Sequence, residues 1–181
     1  LAPFANQLGG SRTHDNLVVT MGKFSTVDIF DANSYAHDPA NDFLNWAVID
    51  TGSFDYAADA WGYSYGAAAE WNTGDWTLRG GFFDLSRVPN GIELTRGFGQ
   101  YQVDAEMERR FQLLGHDGKA KILGFANRGE FGRYDDAVAR GLVLSQLPDT
   151  ATVRRPSFRP GIVVNLEQGI SDDLGAFLRA G

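Results

Sequence analysis

The sequence predicts an all-β fold: an antiparallel transmembrane β-barrel, of which this chain supplies about seven or eight strands. Three observations lead to this prediction. Apolar and polar residues alternate with a period of two along several segments. Aromatic residues stand at both ends of the clearest segment, and short turns alternate with long connections. We therefore expect residues 1–181 to form part of a single barrel domain.

Composition excludes several function classes. The formal net charge of −7 argues against nucleic acid, which requires a basic face to neutralise phosphates. The absence of Cys removes disulfides, thiolate chemistry and zinc-ribbon sites. No stretch approaches the ~18–20 apolar residues of a membrane-spanning helix. Transmembrane strands contain no such continuous apolar stretch, because their outward residues alternate with inward ones.

The clearest strand is predicted over residues 61–71. Its odd positions are aromatic or apolar, and its even positions are small or polar. The first set is Trp61, Tyr63, Tyr65, Ala67, Ala69 and Trp71, and the second is Gly62, Ser64, Gly66, Ala68, Glu70 and Asn72. A strand of about ten residues extends about 33 Å, which a tilt of ~35–45° reduces to about 25 Å of height. That height matches the lipid-facing belt between two aromatic girdles, so we expect the odd positions to face lipid.

Further strands are predicted over residues 17–24, 76–84, 100–114, 119–127, 158–168 and 174–181, and an eighth over 4–8 would pair with the first. Val103 and Met107 share the apolar face of the strand at 100–114, on which Arg109 is the exception. We expect the long Arg109 side chain to reach the lipid headgroups. Leu123 and Phe125 fall on the face that should be polar, so they weaken the alternation of 119–127.

The connections also favour a barrel. Short turns are predicted near residues 74, 117 and 172, and long connections at about 25–60, 85–99 and 128–157, the last with a short helix at 135–144. Such alternation is typical of outer-membrane barrels, whereas soluble sandwiches usually keep both sets of connections short. A closed eight-stranded barrel and a soluble β-sandwich or jelly roll remain alternatives. Because the chain stops at Gly181 within a predicted strand, we expect it to be a portion of a larger barrel.

Residues 22–86 carry several long sequence words in order. They are Gly22-Lys23-Phe24-Ser25, Asp28-Ile29-Phe30-Asp31, Asn33-Ser34-Tyr35-Ala36-His37-Asp38-Pro39, Phe43-Leu44-Asn45-Trp46, Asp55-Tyr56-Ala57-Ala58-Asp59-Ala60-Trp61-Gly62-Tyr63 and Trp76-Thr77-Leu78-Arg79-Gly80-Gly81. In these words the chain resembles the carbohydrate-selective porins, the OprB family. The resemblance implies an outer-membrane barrel of about sixteen strands, through which sugars diffuse passively. It implies neither an enzymatic activity nor a cofactor.

Polar side chains on the predicted inward face are candidates for lining a sugar pathway. By alternation they are Glu70, Arg79, Asp104, Glu106, Glu108, Arg110 and Asn165. Carboxylates accept hydrogen bonds from sugar hydroxyls, whereas the arginine fork donates them. The simpler interpretation is that these residues form only the wetted wall of a porin.

The long segment at 25–60 is a second candidate, because it is too long for a simple connector and too aromatic for a disordered one. We expect it to fold into the pore and narrow it, with Trp46, Asp50 and Asp55 near the constriction. Alternatively, the segment packs as an outer lid or contacts a neighbouring protomer.

Catalysis and metal binding have little support. Glu106 and Glu108 lie about 7 Å apart along one strand face, so they cannot straddle a scissile bond as glycosidase carboxylates do. His14, His37 and His116 lack metal-ligand spacing. Three functions stay open: passive sugar uptake across the bacterial outer membrane, carbohydrate binding by a soluble or surface β-sandwich, and a structural outer-membrane barrel. The candidate partners are mono- or oligosaccharides, outer-membrane lipid and further copies of the chain in a homo-oligomer.

Overall fold

The computed structural model describes residues 13–43, 45–95 and 97–181, with the side chains of Trp46 and Ala47 outside that description. The predicted strand at 4–8 lies outside the described residues. The described strands are β1 (Asn16–Phe24), β2 (Ser64–Thr73), β3 (Trp76–Asp84), β4 (Tyr101–Leu113), β5 (His116–Phe131), β6 (Arg155–Gly169) and β7 (Gly175–Ala180). The connections hold the helices α1 (Trp46–Ile49) and α2 (Tyr134–Leu144), and 3₁₀ turns at Thr26–Asp28 and Thr150–Val153.

All seven strands form one antiparallel sheet, in which each strand pairs with its neighbours in sequence from β1 to β7. The register keeps side chains of like character in rows across the sheet. Arg79 pairs with both Glu70 and Glu106. Met107 pairs in the same way with Leu78 and Ile122. The predicted antiparallel all-β fold is confirmed, and the sheet is consistent with part of a barrel. Within the described part of the chain, no helix has the length and apolar character needed to cross a membrane.

Several strand boundaries differ from the prediction. β2 begins at Ser64 rather than at Trp61, because the Asp59 carboxylate accepts the backbone N–H groups of Trp61 and Tyr63 and so forms a turn. The assignment of residues 61–63 to the strand is therefore wrong. β5 runs on to Phe131 and β6 starts at Arg155, so the connection predicted at 128–157 shortens to residues 132–154.

One face of the sheet is apolar and open. Val103 is 44% exposed and Met107 is 42% exposed, and no second protein layer covers them in the part of the chain that the structure describes. Other large apolar side chains exposed on the strands are Leu17, Val19, Met21, Tyr65, Trp71, Leu78, Phe82, Ile122, Ile162, Leu166 and Leu178. The Arg109 guanidinium lies on this face, 5.0 Å from the centre of the Trp76 ring.

The segment between β1 and β2, residues 25–63, packs across the opposite face. The Phe30 and Phe83 rings meet edge to face with their centres 6.0 Å apart. The Phe54 and Phe125 rings do so at 5.3 Å. Leu123 belongs to the same buried cluster. Leu123 and Phe125 thus break the alternation of β5 because they support this segment instead of facing water.

Candidate functional site

Charged side chains converge at the middle of the covered face. The Nε atom of Arg79 donates a 2.9 Å hydrogen bond to Glu70. Its Nη1 atom donates to Glu106 at 2.6 Å and to Glu108 at 2.9 Å. The antiparallel register produces this contact, because Arg79 stands directly between Glu70 and Glu106 on the neighbouring strands.

Two further cations complete the group, which we call the charged cluster: Glu70, Arg79, Glu106, Glu108, Arg110 and Lys121. Arg110 donates to Glu108 at 3.0 Å. Lys121 lies 3.6 Å from the same Glu108 carboxylate and donates to the carbonyl of Ala32 in the segment. Three carboxylates therefore face three cations, so their formal charges cancel. The partly exposed members, Glu70 and Arg110, offer an acceptor and donors to a hydroxylated solute without a strong net field around them.

Asp31 fixes the segment to the sheet. Its backbone N–H donates to Glu106 at 2.8 Å. Its carboxylate accepts the N–H and the hydroxyl of Thr51 at 2.6 and 2.9 Å, and the Asn165 amide at 2.9 Å. Arg179 donates to the Asp31 carbonyl at 2.8 Å, and its Nε lies 3.6 Å from the carboxylate. One residue thereby joins the segment to β4, β6 and β7.

A second set of contacts ties residues 33 and 34 to β6. Asn165 accepts a 2.7 Å hydrogen bond from the Asn33 amide. Glu167 accepts the N–H and the hydroxyl of Ser34 at 2.6 and 2.9 Å, and pairs with Lys119 at 2.5 Å. Asn165 is accordingly buried against the segment rather than open to a solute.

Asp104 lies on the covered face outside the charged cluster. Its side chain is 1% exposed, and among the described residues neither carboxylate oxygen has a hydrogen-bond partner. Its cross-strand neighbours are Gly81 and Phe125. A solute on this face cannot reach Asp104 while the segment covers it.

The residues predicted within the long segment lie in different surroundings. Asp50 is buried, with Oδ1 3.4 Å from Nδ1 of His37. Hydrogen bonding and attraction from Asp50 raise the pKa of His37 above its ordinary value, although burial opposes the shift. Asp55 is exposed. Trp46 lies in α1, with its side chain outside the described residues.

The turn before β2 is held by Asp59. Its Oδ1 accepts from the N–H groups of Trp61 and Tyr63 at 2.9 and 3.1 Å. Its Oδ2 lies 2.7 Å from the Lys23 ammonium. Burial alone would raise the pKa of Asp59, but Lys23 and the two backbone N–H groups outweigh it and lower the pKa below its usual value.

Sequence analysis missed Asp31, Asp59 and Lys121. Lys121 could have been found from the hairpin between β4 and β5, because its register places Lys121 opposite Glu108. Asp31 and Asp59 lie outside the strands, where alternation carries no information. Over the residues that the structure covers, no cluster of three or more His, Cys, Asp or Glu side chains is arranged to hold a metal ion.

Comparison with protein families gives a match over most of the chain. The model of the family described as carbohydrate-selective porin, OprB family, matches residues 5–181. No curated protein and no solved structure matches the chain.

Proposed function

The chain belongs to the carbohydrate-selective porin family, OprB, and from that premise we propose that it forms part of an outer-membrane channel through which sugars diffuse passively. The observation that carries the proposal is the contrast between the two faces of the sheet. Exposed apolar residues cover one face, and the charged cluster and the segment at 25–63 occupy the other. Lipid against the apolar face and an aqueous channel on the side of the charged cluster would suit the chemistry of both faces.

The segment at 25–63 is proposed to narrow this channel. It packs against the inward face and is fixed at Asp31 by contacts to three strands. Buried anchors of this kind hold a wall element in one position, as a size-selective passage requires. In this arrangement Glu106, Lys121 and Asn165 hold the segment.

The more exposed polar groups are proposed to meet the sugar. The side chain of Glu70 is 24% exposed and that of Arg110 is 35% exposed, so both remain open beside the nearly covered Arg79. Asp55 on the segment is also open. Paired charges suit an uncharged sugar, because they exchange hydrogen bonds with hydroxyls without favouring either sign of ion.

A carbohydrate-binding β-sandwich that is soluble in water is less well supported. Such a fold would bury the apolar face against a second sheet. Val103 and Met107 are uncovered among the residues described.

The test uses the full-length protein in liposomes. We expect swelling in solutions of small sugars that declines as sugar size increases. Deletion of several residues within 40–58 should raise single-channel conductance and abolish the size preference. A deletion of equal length in the connection at 132–154 is the matched control and should change neither. Unchanged conductance in the first variant would overturn the constriction, and absence of swelling with any sugar would overturn the transport function.

A further inference from the structure

A groove opens at the end of the sheet where the long connections lie. We call it the mouth groove; it is lined by most of residues 54–62, by Leu85, Ser86, Pro89 and Asn90, and by Asn127 and Phe131 of β5. Its volume is about 730 Å³, within the ~300–1,000 Å³ typical of small-molecule sites. The charged cluster lies nearer the short turns, so the groove is a separate place on the same face.

Trp61 is the most prominent feature of the mouth groove. Its side chain is 64% exposed, although tryptophan usually buries most of its ring. The turn beneath it is rigid, because Asp59 accepts the N–H groups of Trp61 and Tyr63 and is itself paired with Lys23. A large apolar ring is therefore presented to solvent on a fixed backbone, an arrangement that lowers the entropic cost of binding.

Polar residues line the same groove. Asn127 is buried and holds the backbone of Asp55, because its amide donates to the Asp55 carbonyl at 2.5 Å. The Asp55 and Asn90 side chains are exposed on the rim of the groove. Carboxylate and amide oxygens accept hydrogen bonds from hydroxyls, so the groove combines an aromatic surface with several acceptors.

We propose that the mouth groove is an outer sugar subsite, in which a pyranose ring stacks on Trp61 while its hydroxyls donate to the exposed side chains of Asp55 and Asn90. A pyranose has one apolar C–H face and an edge of hydroxyls, the two surfaces that this groove complements. The subsite would capture a sugar before it reaches the constriction, and this inference rests on the proposed transport function.

The test is sugar-dependent block of ion current through the full-length channel in planar bilayers, with glucose and maltose as probes. Trp61→Ala should raise the half-blocking sugar concentration roughly two- to tenfold. Trp61→Phe, which retains an aromatic face, should restore most of the affinity. Trp71→Ala is the matched control, because Trp71 lies on the opposite, open face of the sheet, and it should leave the half-blocking concentration unchanged.

The outcomes separate the subsite from the transport function. An unchanged half-blocking concentration in Trp61→Ala overturns the subsite alone, as does a wild-type channel that passes glucose in liposome swelling without any sugar-dependent block. If Trp61→Ala does not fold, Asp55→Asn replaces it and should also raise the half-blocking concentration. A wild-type protein that passes no sugar overturns the transport function itself.

Discussion

The backbone N–H of Asp31 donates a 2.8 Å hydrogen bond to Oε2 of Glu106. The other oxygen of the same carboxylate accepts from Arg79 at 2.6 Å. The position of the segment and the geometry of the charged cluster therefore depend on one side chain, and a change in either should be detected in the other.

Replacing Asp31 by Asn should loosen the segment. Asparagine tolerates the left-handed conformation of this residue, whose φ is +57°, so the variant tests the carboxylate rather than the backbone. Loss of the charge-assisted hydrogen bonds from Thr51 and of the ion pair with Arg179 should cost about 2 kcal/mol of docking free energy. We expect larger single-channel conductance and more current noise. Asp172→Asn, in the exposed turn between β6 and β7, is the control and should leave both unchanged.

Replacing Arg79 by Gln should make the channel more cation-selective. The three carboxylates of the charged cluster would then face only Arg110 and Lys121. Removal of one partner from a mostly buried ion pair should also destabilise the protein by roughly 3–5 kcal/mol. The reversal potential in a KCl gradient measures the first effect, and the denaturant midpoint measures the second. Arg109→Gln, on the open face beside Trp76, should not alter selectivity.

The pair between His37 and Asp50 should make the segment more stable at low pH. The pKa of His37 is raised in the folded protein, so the charged pair contributes fully below about pH 6.5, the ordinary value, and is lost as pH rises through the raised pKa. His37→Gln should therefore lower the opening free energy of residues 33–51 by up to about 1 kcal/mol at pH 5.5, which faster hydrogen exchange would show. The same substitution should have little effect at pH 9. The double variant His37→Gln/Asp50→Asn should lower the opening free energy little more than either single substitution does. An equal effect of His37→Gln at pH 5.5 and pH 9 would contradict stabilisation by the charged pair.

Two adjacent glycines should differ in their tolerance of a methyl group. A Cβ on Gly81 would lie 2.5 Å from the Phe83 ring and 2.9 Å from the Phe30 ring, both fully buried. A Cβ on Gly80 meets no atom within 4 Å. Gly81→Ala should lower the free energy of unfolding by about 1–3 kcal/mol. Gly80→Ala should leave it nearly unchanged, as measured by urea titration in detergent.

Much of the fold could be predicted because strand alternation is a local property. Val103 and Met107 were assigned outward from their spacing alone, and both are exposed. Arg79 was assigned inward by the same rule, and strand pairing then places it between two glutamates. Its role as a candidate sugar contact stays a prediction.

The remaining features depend on contacts between distant parts of the chain. Trp61 continues the alternation of β2, yet the Asp59 carboxylate turns the chain before the strand begins. Leu123 looked anomalous only because the rings that cover it come from residues far away in sequence. Asp31 belongs to no periodic pattern, and its partner Arg179 lies 148 residues further on. Spacing within one strand carries no information about such partners.

The strand order also sets constraints on assembly. Each strand pairs only with its neighbours in sequence, so the hairpins β2–β3, β4–β5 and β6–β7 can form with short loop closures. Docking of residues 25–63 must wait, because its fixing points belong to the fourth, sixth and seventh strands. The segment at 25–63 would thus dock last, and until it docks the proposed channel would be wider and less selective for size.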